Sequence, residues 1–433
     1  MRQLMKIGAL LLVGGQAMTQ VAAQAVPDAK ASDPVTLGWM QGTPPPPDKL
    51  LRFDDSSVWR FPQLRWTYSH WREIWPTVGV SRGDGPVNEL PRAIRADLDS
   101  VSFTPIGATT PTTWGQAFDG NYTDGIVVLH KGRIVHERYA GALSETGDHI
   151  AFSVTKSFVG TLAAMLIDEG KLDRTARVDR YLPELAGSGF GDATVGQVMD
   201  MTTALKFSED YGATGGDFLN FALATGSAPR RPDYRGPTSN LTYAATIPKD
   251  GEHGSAFVYR TPNTDVLGWL VSRIEGKRLN EVLSARIWSK LGAEGDAYLH
   301  VDPSGMPFAG GGLNTRLRDL ARFGEMIRLN GRLNGQQIVP AKVIAGIRQG
   351  GDPAKFGGYP TLPGWSYHDQ WWHSHNANGA FMARGIHGQA IYIDPKAQVV
   401  IARYASHPVA GNRAIDPLSI PAYAAIVAKL TER

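Results

Sequence analysis

The chain has 433 residues, of which 42% are hydrophobic, 20% are charged and 9% are aromatic, and this ordinary globular composition excludes a disordered, collagen-like or coiled-coil chain. Lysine and arginine number 44 against 41 acidic residues, so the net charge of +3 gives no general attraction to nucleic acid or to an anionic membrane. The chain contains no cysteine, which excludes a thiol nucleophile, a disulfide framework, cysteine-ligated zinc and iron–sulfur clusters.

Residues 1–25 have the pattern of a secretory signal peptide. Arg2 and Lys6 give a basic start, the apolar run of residues 7–15 follows, and Ala23-Gln24-Ala25 is an A-x-A cleavage pattern. The apolar run is too short to span a bilayer, although a membrane anchor or a first helix is the alternative interpretation. No later stretch of the sequence has the length of a membrane helix. We therefore expect cleavage near Ala25 and an exported protein, periplasmic or secreted, without a membrane span.

Residues 26–100 form a segment rich in proline and tryptophan. The four consecutive prolines 44–47 exclude a helix there and favour an extended conformation. A tryptophan side chain stabilises a protein most when it is buried. We therefore expect this N-terminal arm to pack on the body of the protein rather than to bind a ligand. The tryptophans concerned are Trp59, Trp66, Trp71 and Trp75.

Residues 101–433 show hairpin patterns at both ends and helical patterns between them. Residues 125–130 and 133–139 flank the turn Lys131-Gly132, and residues 390–396 and 399–404 form a second pair of β-type runs. Apolar residues at helical spacing predict helices over residues 153–168, 195–201, 264–274 and 421–430.

These patterns predict an α+β fold. Hairpins require antiparallel pairing, so we expect an antiparallel sheet built from both chain ends, with flanking helices and a large helical insertion. The sheet part is expected at about residues 101–155 and 380–433, and the helical part at about residues 156–380. The boundary between the two parts is a natural cleft for a site.

Ser153 and Lys156 form a Ser-x-x-Lys motif at the start of the predicted helix 153–168. The i, i+3 spacing puts both side chains on one helical face, close enough for the amine to meet the hydroxyl. The free N–H groups of a helix start stabilise an oxyanion, and the same field favours a neutral lysine that can act as a base. Because the motif is short, the alternative is a serine N-cap beside a solvated lysine.

Two further segments follow the motif in an informative order. Tyr259 comes next, and Gly385-Ile386-His387-Gly388-Gln389 directly precedes the late hairpin. This order resembles the serine β-lactamase and penicillin-binding-protein superfamily. From about Tyr122 to the C-terminus the chain is more closely similar to the 6-aminohexanoate-dimer hydrolases, which share their fold with class C β-lactamases and family VIII carboxylesterases. The segments that carry this similarity are residues 152–157, 168–170, 181–187, 208–211, 263–269, 319–322, 370–372 and 385–389.

The resemblance implies a role for each matching residue. Ser153 would be the acylated nucleophile, and Lys156 and Tyr259 would share proton transfer, with Tyr259 protonating the leaving group. Tyr211 would close over bound substrate, although a buried packing role is its alternative. The backbone N–H groups of Ser153 and Ile386 would form the oxyanion hole. The neighbouring His387 and Gly388 would contact or orient the substrate.

Three departures from the family pattern affect the expected substrate. The superfamily's Tyr-x-Asn is here Tyr259-x-x-x-Asn263, a longer spacing. We therefore expect Asn263 to cap the following helix. The Lys-Thr-Gly of β-lactamases is replaced by Ile386-His387-Gly388, which removes the cation that holds a lactam carboxylate. In the 6-aminohexanoate-dimer hydrolases, polar side chains at two places help hold the linear amide. The matching residues of this chain, 218–222 and 308–310, are mostly apolar. The last departure favours an ester over the amide dimer.

Other side chains give weaker signals. His373 and His375 lack a carboxylate-rich partner motif, so we expect a loop pair rather than a metal site. His387 could be the base of a catalytic triad, but the sequence contains no G-x-S-x-G nucleophile motif to accompany it. Trp371 and Trp372 are expected in the pocket wall and the core.

The sequence therefore predicts an exported serine hydrolase, without metal or cofactor, that cleaves a small-molecule amide or ester through an acyl-enzyme. Two alternatives are a β-lactamase or D-alanyl-D-alanine peptidase acting on cell-wall material, and a catalytically silent binding relative. Neither the natural substrate nor the oligomeric state follows from the sequence.

Overall fold

The computed structural model of the protein describes residues 26–213 and 215–432, so the predicted signal peptide lies outside the described residues. The strands are β1 (Thr77–Val80), β2 (Ser102–Phe103), β3 (Thr112–Thr113), β4 (Thr123–His130), β5 (Arg133–Tyr139), β6 (Asp148–Ile150), β7 (Ala297–His300), β8 (Leu313–Arg316), β9 (Arg332–Leu333), β10 (Gln336–Gln337), β11 (Ser366–His368), β12 (Trp371–His373), β13 (Phe381–Arg384), β14 (Ala390–Asp394) and β15 (Val399–Ala405). The α-helices are α1 (Leu64–Thr67), α2 (Trp71–Ile74), α3 (Trp114–Gly120), α4 (Thr155–Asp168), α5 (Val195–Met199), α6 (Asp217–Thr225), α7 (Asn240–Ala244), α8 (Pro262–Glu275), α9 (Leu279–Arg286), α10 (Leu317–Arg328), α11 (Ala341–Gln349) and α12 (Asp416–Thr431).

The main sheet has seven strands in the order β11-β12-β13-β14-β15-β4-β5, and each neighbouring pair is antiparallel. The two predicted hairpins are its β4–β5 and β14–β15 pairs, and β4 pairs with β15, so that strands from the two ends of the chain are neighbours within the sheet. The predicted α+β class and the antiparallel sheet from both chain ends are therefore confirmed.

Both faces of this sheet are covered, which explains why its strands read as continuous apolar runs. Along β4, Val127 and Leu129 belong to the core that contains α4, α8 and α10, whereas Ile126 and Val128 face the core that contains α3 and α12. Side chains alternate between the faces because a strand has a period of two. The site described below touches both cores, since Phe308 packs against the first and Tyr259 against the second.

A second sheet has the order β1-β7-β8-β6 and joins the arm to the body. Strand β1 comes from the arm and pairs antiparallel with β7, Thr77 facing His300. The arm also contributes an aromatic cluster, in which the rings of Trp71 and Trp75 stack at 3.9 Å and Trp71 meets Phe152 edge to face at 5.8 Å. The arm is therefore held by strand pairing as well as by aromatic packing.

Several elements differ from the sequence expectations. Strands β7 to β12 lie inside the stretch 156–380 that was expected to be helical, because runs of two to four residues are too short to show an alternating pattern. Helix α4 begins at Thr155, two residues later than predicted, after a 3₁₀ turn over Phe152–Val154. Helix α12 begins at Asp416 and contains Pro421. Because Pro421 has no N–H to donate to the carbonyl of Pro417, this carbonyl accepts the N–H of Ile106 instead.

Within the described residues, no helix combines the length and the apolar character that crossing a bilayer requires.

Candidate active site

Ser153 lies in the 3₁₀ turn Phe152–Val154 that leads directly into α4. The hydroxyl of Thr155 fixes this turn, because it donates to the carbonyl of Phe152 at 2.6 Å and accepts the N–H of Leu313 on β8 at 3.1 Å. The Phe152 ring packs edge to face against Tyr68 of the arm at 4.9 Å. Contacts from the second sheet and from the arm therefore hold the serine turn in place.

Lys156 lies one turn further along, and its amine is 3.0 Å from the Ser153 hydroxyl. Only 1% of the residue is exposed. The other partners of Nζ are the Thr261 hydroxyl at 3.0 Å and the Gly310 carbonyl at 2.5 Å. Both of these partners can accept amine protons, which leaves the lone pair of a neutral amine directed at Ser153. The predicted contact between the two side chains is therefore present.

Burial lowers the pKa of Lys156 to about 8, because a charged ammonium is poorly solvated in this environment. The carboxylates of Glu209 and Asp265 act in the opposite direction and limit the decrease in pKa. Burial also raises the pKa of Asp265, which accepts the N–H of Gly310 at 3.0 Å and so positions the carbonyl that faces Lys156. A lysine with a pKa of about 8 has a substantial neutral fraction near neutral pH.

Tyr259 lies beside this pair. The Lys156 amine is 5.1 Å from the centre of the Tyr259 ring, and Ser153 lies close enough to the Tyr259 side chain to affect the pKa of the phenol. Burial is the main reason that the pKa of Tyr259 is well above its ordinary value, with the nearby Glu209 adding to the rise. The phenol therefore keeps its proton and can act as an acid.

Glu209 is a site residue that the sequence reasoning did not identify. Its Oε1 accepts hydrogen bonds from the Tyr211 and Thr261 hydroxyls, each at 2.5 Å, and its Oε2 accepts the N–H of Thr261. Glu209 thereby links Tyr211 to the threonine that contacts Lys156. One feature of the sequence could have identified Glu209: it lies two residues before Tyr211, in a segment already noted for its family resemblance.

Thr261, rather than Asn263, is the polar residue that follows Tyr259 in the site. Asn263 is buried in the first turn of α8, where its side chain donates to the carbonyl of Arg260 and accepts from the Thr203 hydroxyl. The predicted capping role is wrong, because Thr261 occupies the N-cap position. Reading Tyr259-x-Thr261 as a variant of Tyr-x-Asn would have found this residue.

Strand β13 brings Gly385 and Ile386 next to the serine turn. A Cβ on Gly385 would lie 2.8 Å from the Ala151 carbonyl oxygen, so only glycine permits this approach. Within the described residues, the N–H groups of Ser153 and Ile386 donate to no protein acceptor. Both residues line the same two cavities, as an oxyanion hole formed by these amides requires.

The other two predicted residues of this segment are placed differently. His387 donates through Nδ1 to the His407 carbonyl at 2.6 Å, and burial lowers its pKa to about 4, so the ring is neutral near pH 7. The residue lines the larger of the two cavities. Gly388 lines neither cavity; its φ of 102° shapes the chain, and its carbonyl accepts the Arg403 Nε–H at 2.8 Å.

Ser153, Tyr211 and Ile386 lie where the two cavities meet. The larger cavity has a volume of about 630 Å³ and a mainly apolar wall that includes Phe218, Phe221 and Phe308. Part of the wall comes from the arm, since Trp59, Phe61, Leu64, Tyr68 and Trp71 also line it. The smaller cavity, of about 170 Å³, is lined by Tyr259, Tyr359, Trp372, Arg384, Arg413 and Asp416 among others.

The remaining candidates lie elsewhere. His375 bonds the Ser366 hydroxyl at 2.6 Å, and burial lowers the pKa of His373 to about 3. Of the two tryptophans, Trp371 is in the core and Trp372 lines the smaller cavity.

Comparison with known proteins adds the family context. Residues 119–424 match the family model described as Beta-lactamase. The chain is 34% identical over 350 residues to the 6-aminohexanoate-dimer hydrolase of Paenarthrobacter ureafaciens, which covers 80% of this chain and 86% of that protein. A solved structure of a Bacillus anthracis protein assigned as a 6-aminohexanoate-dimer hydrolase superposes with a TM-score of 0.79 and 33% identity, covering 86% of this chain and 96% of that one. A family VIII carboxylesterase shares the fold, with a TM-score of 0.53 and 18% identity over 72% of this chain and 96% of that one.

Proposed function

Because this chain belongs to the beta-lactamase family of serine hydrolases and is related to 6-aminohexanoate-dimer hydrolase, we propose that it cleaves a small linear ester or amide through an acyl-enzyme on Ser153. The single observation that carries the proposal is the buried Lys156 amine, 3.0 Å from the Ser153 hydroxyl at the meeting point of two cavities. A buried amine of lowered pKa is a suitable base for a serine nucleophile.

In the first step, neutral Lys156 accepts the Ser153 proton as Oγ attacks the substrate carbonyl carbon. The carbonyl oxygen becomes an oxyanion, which the N–H groups of Ser153 and Ile386 stabilise. Collapse of this intermediate breaks the bond to the leaving group, which takes the Tyr259 proton. The proton held by Lys156 then restores the phenol of Tyr259, whose ring centre is 5.1 Å from the amine.

Water completes the cycle by attacking the acyl carbon of the acyl-enzyme. Lys156, neutral again after the first half-reaction, accepts a proton from this water and returns it to Ser153 Oγ as the bond to the acyl carbon breaks and the acid product departs. No proton is gained or lost over the full cycle. Lys156 and Tyr259 act as a coupled pair throughout, because the amine lies 5.1 Å from the centre of the phenol ring and both groups lie beside Ser153.

We assign Tyr211 to the contact with the scissile group. Its hydroxyl hydrogen is donated to Glu209, so the phenol oxygen presents lone pairs to the cavity that it lines. Those lone pairs can accept the N–H of an amide substrate, which an ester lacks. The Tyr211 ring packs edge to face on Phe218 at 4.8 Å, and this contact orients the phenol.

The substrate we favour is a short ester with an apolar acyl group. The wall of the larger cavity includes four apolar side chains, those of Phe218, Leu219, Phe221 and Phe308. Polar contacts to a linear amide would need polar side chains at these places. Burying an apolar acyl chain against such walls is favourable by about 25 cal/mol per Å². Amide hydrolysis is a slower second activity in this proposal.

The test compares two serine variants of α4 and its preceding turn. Ser153→Ala is expected to abolish turnover of 4-nitrophenyl butyrate while thermal unfolding and circular dichroism stay as in the wild type. Ser157→Ala is the matched control, because this buried serine bonds the Gln370 carbonyl at 2.7 Å and lines neither cavity. Retained turnover in Ser153→Ala, or equal loss in both variants, would contradict the proposal.

We further propose that the protein is exported, on the basis of the basic start, the apolar run 7–15 and the A-x-A pattern ending at Ala25. Expression of the full chain, followed by N-terminal sequencing of the periplasmic and secreted fractions, is expected to give a mature chain that begins at about Val26. A cytoplasmic protein that retains residues 1–25 would contradict export.

A further inference from the structure

Trp59 joins two parts of the wall of the larger cavity. It is a half-buried residue of the N-terminal arm, and its indole N–H donates to the carbonyl of Ser227 at 2.9 Å. Ser227 follows the end of α6 and lies 168 residues further along the chain. Trp59, Ser227 and the neighbouring Ala228 all line the cavity. The arm therefore meets the segment after α6 at this part of the wall, and a hydrogen bond fixes the junction.

Trp59 is separated from the serine turn by one layer of aromatic rings. The ring of Phe152, the residue before Ser153, contacts Tyr68 at 4.9 Å and Trp71 at 5.8 Å. Trp59 contacts the same two rings, at 6.4 Å and 5.5 Å. In the part of the chain that the structure describes, Trp59 and Phe152 have no ring contact with each other. A chain that extends from Ser153 along this wall thus passes Tyr68 and Trp71 before it reaches Trp59.

The acyl group of the substrate is the part that would extend along this wall. Tyr259, which gives its proton to the leaving group in the proposed mechanism, lines the smaller cavity and not the larger one. Ser153 and Ile386 line both cavities, so the carbonyl group under attack lies between them. With the leaving group on the Tyr259 side, the acyl chain enters the larger cavity.

The arm that carries Trp59 is held on the body by a buried ion pair. Arg65 donates to Asp124 at 3.2 Å, and both side chains are 2% exposed. The same guanidinium donates to the hydroxyls of Ser32 at 3.0 Å and Ser406 at 3.1 Å. Breaking a buried ion pair is costly, and Trp59 is not a member of this one. A substitution of Trp59 therefore leaves the anchor of the arm in place.

We propose that Trp59 is a specificity-determining residue that limits the length of the acyl chain by closing the end of the larger cavity. This inference rests on the proposed function, which places the acyl group in that cavity. The cavity volume of about 630 Å³ is that of roughly twenty water molecules, so a short acyl chain fits in front of Trp59 and a long one collides with it. Trp59 takes no part in bond breaking, so its substitution should change the turnover of long esters and not of short ones.

The test is a series of 4-nitrophenyl esters of unbranched acids, from acetate through butyrate, hexanoate and octanoate to decanoate. The kcat/KM of each ester is divided by the acetate value of the same variant, so that differences in the active fraction cancel. The wild type is expected to gain about fourfold for each methylene that enters the apolar cavity. Beyond the chain length that reaches Trp59, the ratio should fall.

Three substitutions should move this maximum in defined directions. Trp59→Ala removes an aromatic side chain, which buries roughly 150–250 Å², and should move the maximum to longer esters by about two carbons or more. Its decanoate-to-acetate ratio should exceed that of the wild type by roughly tenfold or more. Trp59→Phe keeps a ring without the N–H and should shift the maximum less. Ala228→Phe fills the same end of the cavity and should move the maximum to shorter esters.

Trp66→Ala is the matched control. Trp66 is another tryptophan of the arm, but it stacks on His70 at 3.9 Å and lines neither cavity. This variant is expected to lower the thermal stability and to keep the wild-type maximum. If Trp59→Ala does not fold, Trp59→Leu takes its place, because leucine keeps an apolar contact with the arm and is still smaller than tryptophan.

Three results would overturn the inference: a wild-type maximum in the small variants of Trp59, an equal shift in Trp66→Ala, or an unchanged maximum in Ala228→Phe. Failure of the proposed function has a different signature. In that case the wild type turns over none of the esters, or Ser153→Ala turns over all of them. Hydrolysis that requires Ser153 but has a maximum independent of residue 59 contradicts this inference alone.

Discussion

The pH dependence of kcat/KM tests the proposed base directly. Burial lowers the pKa of Lys156 to about 8, and only the neutral amine has a lone pair for the Ser153 proton. At pH 6, two units below this pKa, about 1% of the amine is neutral, so kcat/KM is expected to be roughly a hundredfold below its alkaline plateau. Activity should thus rise with pH and level off above about pH 8.

The assay is hydrolysis of 4-nitrophenyl butyrate between pH 5.5 and 9.5, corrected for the spontaneous rate. Glu209→Gln provides a directional check, since the Glu209 carboxylate raises the pKa of Lys156. Removing its charge should move the acid limb to lower pH, whereas the exposed control Glu252→Gln should leave the limb in place. A flat profile, a limb near the ordinary histidine pKa of about 6.5, or a shift of Glu209→Gln to higher pH would refute the reasoning.

Three further substitutions give distinct outcomes. Tyr259→Phe removes the proton donor and is expected to lower kcat/KM by about 10² to 10⁴, with loss of less than tenfold contradicting the assignment. Tyr211→Phe removes the acceptor for a substrate N–H, so butyryl 4-nitroanilide should lose more activity than 4-nitrophenyl butyrate; equal losses would argue for a packing role. Gly385→Ala places a Cβ 2.8 Å from the Ala151 carbonyl oxygen and should displace the Ile386 amide, which predicts a larger fall in kcat than rise in KM; wild-type kcat would contradict that placement.

Features encoded by neighbouring residues could be predicted from the sequence. The hairpins β4–β5 and β14–β15 and the contact between Ser153 and Lys156 depend on spacings of a few residues, and the structure contains all three. The family and the fold class were also predicted correctly, because several matching segments occur in the right order.

Features that depend on distant residues could not be predicted in the same way. Glu209 acts on Lys156 through Thr261, and nothing in the spacing of the three indicates this hydrogen-bonded chain. The carbonyl of Pro417, in the first turn of α12, accepts the N–H of Ile106, more than 300 residues before it. Trp59 was expected only to dock the arm, yet it also lines the larger cavity, because tertiary packing decides which face of an aromatic side chain remains accessible.

Identification of the acylated residue decides whether Ser153 is the nucleophile. The wild-type enzyme is mixed with excess 4-nitrophenyl butyrate, quenched in acid within the first turnovers, digested and analysed by mass spectrometry. The expected result is a butyryl group on the peptide that contains Ser153, located on that side chain by fragmentation and missing in Ser153→Ala. A butyryl group on another residue during turnover, or full turnover by Ser153→Ala, would show that Ser153 is not the nucleophile.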